Sequence, residues 1–93
     1  MILDDIDKAL LKENFDDDTI NKIDINNLTL IYNYLIRNGV YYVNDLIISS
    51  LDLFLLPYEL FVKKFEKLKN ELGENYIEKL GEDSSLIEIM YNE

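Results

Sequence analysis

The sequence predicts an all-helical fold, a bundle of five to six short helices with a helix-hairpin-helix-like core. Apolar residues recur at spacings of three and four through most of the chain. Only three Gly and one Pro interrupt 93 residues, and no run alternates in the period of two that a half-buried strand needs. Ninety-three residues suffice for one hydrophobic core and not for two, so a single domain over residues 1–93 is expected, its core over about 26–80.

The first helix is expected over residues 3–14, where Ile2, Ile6 and Leu10 with Leu3 and Ala9 form a stripe behind the acidic pair Asp4 and Asp5. The run Asp16-Asp17-Asp18-Thr19 should break it. Ile20, Ile23 and Ile25 would then reach the core from a turn or a short extended piece.

Asn26 or Asn27 is placed to cap the next helix, in which Leu28, Ile31 and Leu35 with Tyr32 and Tyr34 recur until Gly39 supplies a left-handed stop. Val43, Leu46 and Ile47 form a short helix. Ser49 or Ser50 can cap another over 51–55, and Pro57 ends that run or occupies the first turn of the next helix.

Phe61, Phe65, Leu68 and Leu72 lie on one face of a helix over 58–72 with Gly73 as its stop, and Glu59 four residues before Lys63 adds surface support. A short helix over 74–80 closed by Gly81 comes next. Ser85 with Glu88 matches a capping box opening a terminal helix over 85–91.

The order of these elements, together with Asn33, Leu35, Arg37, Gly39, Val43, Asp45, Leu46, Ser50, Leu53, Pro57 and Gly73, resembles the C-terminal domain of the bacterial RNA polymerase alpha subunit. The likeness runs from about Ile25 to Leu80 and implies a helix-hairpin-helix-like core. In that family an Arg about three residues before the Asn, the Asn itself and a Gly-Lys-Ser hairpin opening the later helix contact the DNA minor groove. Here Asn33 is present, but Leu30 and Ile31 stand where the Arg belongs. After Pro57, Tyr58-Glu59-Leu60-Phe61-Val62-Lys63 offers no Gly whose backbone N–H could meet a phosphate. Lys63 and Lys64 are best read as a solvated face, so the family's DNA contacts do not carry over.

Charge points the same way. Residues 1–27 hold eight acids and three lysines, residues 74–93 hold six acids and one lysine, and residues 28–73 balance five acids with five bases. The net charge of −10 argues against direct nucleic-acid binding, which rests on Lys and Arg displacing counterions from phosphates. Bias toward Asn, Ile, Lys and Tyr without Trp accords with an AT-rich genome or its phage.

Enzymatic function is not expected. The chain has no Cys and no His, which removes thiolates, disulfides and the commonest general base and metal ligand. The Asp16–Asp18 run lacks the alternating ligands, central Gly and closing Glu of a calcium loop, and the Ser49-Ser50 and Ser84-Ser85 pairs have no base to activate them. No cofactor or metal is implied. With no long apolar segment and no basic-then-apolar leader, a cytoplasmic protein without a membrane span is expected.

What remains is a contact surface. Tyr is enriched in protein interfaces, and of the adjacent Tyr41 and Tyr42 one, Tyr41, is expected to face outward; Tyr34, Tyr58 and Tyr91 are further candidates. The candidate protein-binding residues are therefore Asp4, Asp5, Asp7, Asp16, Asp17 and Asp18 at one end, Glu74, Glu78, Glu82, Asp83 and Glu88 at the other, and Tyr41. They would stand in for phosphates on a partner with a basic surface, as in a small phage or mobile-element inhibitor of the anti-CRISPR kind. The alternative is a transcription-associated module related to the polymerase domain that contacts DNA or a regulator. Self-association through Phe54, Leu55 and Leu56, too many apolar residues in a row for one helix face, is a third reading.

Overall fold

Two longer helices, α3 (Ile25–Arg37) and α6 (Tyr58–Leu72), pack against each other and carry most of the large core side chains. The computed structural model describes residues 5–91, with side chains from residue 9 onward. In chain order the described elements are α1 (Asp5–Asn14), α2 (Asp17–Asn21), α3, α4 (Val43–Ser49), α5 (Leu51–Phe54), α6, α7 (Tyr76–Glu82) and a C-terminal 3₁₀ helix (Ser84–Tyr91). There is no strand among the described residues, as the sequence predicts. The Cα radius of gyration is 12.8 Å, close to the roughly 12 Å expected of a compact chain this long.

The helix total exceeds five to six because acidic side chains start helices where breaks were expected. Asp16 accepts the Thr19 N–H at 2.8 Å and so opens α2. Asp24, not Asn26 or Asn27, caps α3: its Oδ1 accepts the N–H groups of Asn26 at 3.0 Å and Asn27 at 3.3 Å. Ile20 and Ile23 pack on the core from α2 and the turn after it, but Ile25, the first residue of α3, is exposed.

The ends of α3 and α6 agree closely with the sequence. Gly39, at φ +91°, lets its own N–H reach the Ile36 carbonyl while Val40 N–H reaches Leu35, which is a Schellman termination. Gly73, at φ +84°, ends α6. Pro57 is the N-cap of α6 and cannot cap it with a side-chain oxygen. Asn27 serves instead, its Oδ1 accepting the Tyr58 N–H at 2.9 Å while its Nδ2 donates to the Leu56 carbonyl at 2.7 Å.

Aromatic rings fill the space between α3 and α6. Phe61 and Phe65 stack at 6.0 Å, and Tyr34 meets both edge-on. Tyr34 is thus buried, and its hydroxyl donates to Glu66 Oε2 at 3.0 Å. Lys69 pairs with the same oxygen at 2.9 Å and donates to Asn38 Oδ1 at 2.8 Å; Tyr76 donates to the Asn38 carbonyl. The ion pair on α6 is this one rather than Glu59 with Lys63. Phe54 is buried and Leu55 and Leu56 are half-buried, which leaves little of that run for self-association.

The core extends beyond residues 26–80 to Leu11 on α1 and to Ile87 and Met90 on the 3₁₀ helix. That last helix is opened by Asp83, whose Oδ1 accepts the Ser85 N–H at 3.1 Å and the Ser85 hydroxyl, so Ser85 is not the cap. Ser50 precedes α5 without a side-chain cap bond; its buried hydroxyl meets Tyr91, which also donates to Asp52 at 2.8 Å. Gly81 does not close α7; the helix runs through it to Glu82.

Candidate functional site

The Gly39 turn delivers the chain from α3 to α4 in a few residues, and that brevity determines where the Tyr pair goes. Val40 is buried, Tyr41 is 81 % exposed and Tyr42 is half-buried. Consecutive side chains in such a segment leave in different directions, so one ring reaches inward and the other stands in solvent.

Tyr42 is fastened to α7. Its hydroxyl donates to the Ile77 carbonyl at 2.7 Å, and its ring crosses Gly81, where a Cβ would lie 3.2 Å from the ring edge and 3.8 Å from the Tyr41 hydroxyl. Gly81 is thus a close-approach residue rather than a helix stop. Burial, reinforced by the neighbouring Tyr41 and Tyr76, pushes the Tyr42 phenol up to about 12. Tyr41 stands against Tyr42 edge-to-face, with centroids 4.9 Å apart and planes at 84°.

Two cavities flank Tyr42. One, of about 240 Å³, lies between α3 and α4 and is lined by Tyr32, Ile36, Tyr41, Tyr42 and Asp45 among others. The second, of about 230 Å³, lies on the α7 side, where Asp45, Ser49, Leu80 and Ser84 join Tyr42. Tyr42 and Asp45 belong to both, and no lining residue of either is basic.

The predicted contact residues separate into groups. Tyr41 is exposed as expected and sits against α7, which carries the exposed Glu78 and Glu82. Asp83 comes directly after them but is engaged as a helix cap. Glu74 lies in the turn before α7, and Glu88 is exposed on the 3₁₀ helix. Asp16, Asp17 and Asp18 are exposed on α2, which packs on α1, and they line neither cavity. Hydrogen bonds from Thr19 hold the Asp16 carboxyl below its ordinary value. Asp4 lies outside the described residues; Asp5 and Asp7 fall on α1, with side chains outside them.

Asp45 is not among the contacts expected from sequence, yet it is the carboxylate that Tyr41 and Tyr42 share. Its only sequence cue is an acid in the first turn of a helix that starts directly after an aromatic pair. Among the described residues, no three acidic side chains converge as a metal ion would require, and no helix is long and apolar enough to cross a membrane.

Comparisons with protein-family models, with curated proteins and with solved structures give no match to this chain.

Proposed function

We propose that this chain is a non-enzymatic binding module that captures a protein through that protein's basic, nucleic-acid-binding surface. The observation that carries this reading is Tyr41, 81 % exposed yet braced by Tyr42 beside α7 and its carboxylates, in a chain of net charge −10. A braced aromatic loses little conformational freedom on binding and suits the centre of an interface. Glu78 and Glu82 around it supply the attraction that speeds and orients docking. A small inhibitor of phage or mobile-element origin, standing in for phosphates, is the concrete form of the proposal.

The succession α3, Gly39 turn, α4, α5, α6, with Asn33 exposed, favours a second reading. In it the chain is a transcription-associated module, akin to the RNA polymerase alpha C-terminal domain, that contacts DNA or a regulator. One experiment separates the two. The immobilised chain is challenged with native host extract and, separately, with an AT-rich duplex. The first reading expects a retained nucleic-acid-binding protein that duplex DNA displaces. Its retention should weaken in Glu78→Lys and Glu82→Lys variants and fail by about 0.5 M salt, where exposed charges are screened. Retention of the duplex itself would overturn the first reading in favour of the second.

A further inference from the structure

The groove between α3 and α4 has a composition that selects one kind of occupant. Three tyrosines, Tyr32, Tyr41 and Tyr42, line it together with Ile36 and the exposed carboxylate of Asp45. Two of the rings, Tyr41 and Tyr42, meet at 84° with centroids 4.9 Å apart and so form a corner. Aromatic walls at right angles with a carboxylate beside them are the surroundings in which an organic cation gains both cation–π attraction and charge pairing. At about 240 Å³ the space falls below the range of cofactor and drug-sized sites and suits a single side chain.

Two further facts restrict the occupant. The chain supplies no cation of its own, since no lining residue is Lys or Arg. The Tyr42 hydroxyl is already committed to the Ile77 carbonyl, so what this residue has left to offer a ligand is its ring. The groove also lies at the start of α4, whose backbone N–H groups favour negative charge, but Asp45 in that same first turn is itself that charge. An anion entering the groove would face Asp45.

We infer that the Tyr32, Tyr41, Tyr42 and Asp45 groove receives one cationic side chain, arginine or lysine, from the partner protein. This rests on the proposed contact surface and names the chemical group that surface reads. Arginine has the advantage of a planar guanidinium that can stack on a ring while forking to a carboxylate.

The test uses the full chain with the small amides N-acetyl-arginine amide, N-acetyl-lysine amide and the neutral isostere N-acetyl-citrulline amide. Backbone amide NMR shifts report where each binds. The expected result is saturable shifts centred on Tyr41, Tyr42 and Asp45, with a cationic amide binding roughly 3- to 30-fold more tightly than citrulline. The stronger of the two cations identifies the side chain. Asp45→Asn and Tyr41→Ala, both at exposed positions, should abolish the preference, while Glu71→Gln on α6 should leave it intact. Equal binding of citrulline, or equal weakening by Glu71→Gln, overturns the inference, because the attraction would then be unspecific. Cationic amides that bind here while host extract yields no basic partner would support the groove's chemistry and remove the wider function. A basic partner captured undiminished by the Tyr41→Ala and Asp45→Asn variants would do the reverse.

Discussion

Asn27 on α3 holds the start of α6, thirty-one residues away, by accepting the Tyr58 N–H at 2.9 Å and donating to the Leu56 carbonyl at 2.7 Å. Pro57 separates these two backbone groups and can satisfy neither. Replacing Asn27 with Ala leaves a partly buried donor and acceptor unpaired, which costs about 2 kcal/mol. Thermal unfolding should show a fall in Tm of roughly 10 °C. Asn27→Asp keeps the acceptor and should fall between Ala and the parent; a Tm for Asn27→Ala within about 2 °C of the parent would rule out this clamp.

Asp24 should matter more than its neighbour Asn26, because only Asp24 accepts hydrogen bonds from the first turn of α3. Asp24→Ala is expected to cost about 1 kcal/mol in urea denaturation, and Asn26→Ala close to nothing. Equal effects would mean that the cap contributes no more than an ordinary surface residue.

At Gly81 the usual helix rule is expected to fail. Gly→Ala inside a helix ordinarily gains about 1 kcal/mol. Here the new Cβ would stand 3.2 Å from the edge of the Tyr42 ring, which the bond to Ile77 keeps from yielding. Gly81→Ala alone should therefore bring no gain, whereas in a Tyr42→Phe background, with the tether removed, the gain should return. A double-mutant cycle measures that coupling, and strict additivity would exclude it.

Alkaline stability should depend on the buried phenols. Burial and the Glu66 carboxylate raise Tyr34 well above its ordinary value of 10, and Tyr42 and Tyr91 are pushed up to about 12. The unfolded chain ionises these groups near pH 10 while the folded chain keeps them neutral. Their contribution is complete below pH 10 and is lost as pH rises from there through 12. Urea midpoints measured from pH 8 to 11.5 should fall above about pH 10, less steeply in Tyr42→Phe. On the acid side Glu66 runs oppositely. Its hydrogen bond with Lys69, aided by Tyr34, lowers its pKa, so its contribution is present above 4.5 and disappears as pH drops below that value. Since Glu66 is half exposed, that loss should be small.

Periodicity and glycine placement make α3 and α6 readable from sequence, because both helices bury one face and end on a residue with positive φ. The short elements are harder. Asp16, Asp24 and Asp83 each open a helix through a side-chain oxygen, and a run of acids carries no sign of which member will do so. Gly81 looks like a helix stop until Tyr42 is known to lie across it, a relation between residues 39 positions apart that no local pattern contains. Tyr34 reads as a surface residue because Glu66, its hydroxyl's partner, lies 32 positions further on. For the candidate site, adjacency alone tells that Tyr41 and Tyr42 part ways. The grooves, and the share of Asp45 in them, arise only when α3, α4 and α7 come together.

The unequal shielding of the seven tyrosines gives this molecule a built-in probe. Tyr41 is 81 % exposed, whereas Tyr34 is buried and Tyr91 is tied to Asp52. Mild nitration should convert Tyr41 first, placing a coloured, acid-shifted phenol at the mouth of the α3–α4 groove. Absorbance of that single nitrophenol would then report occupancy of the groove directly, without any tryptophan having to be introduced.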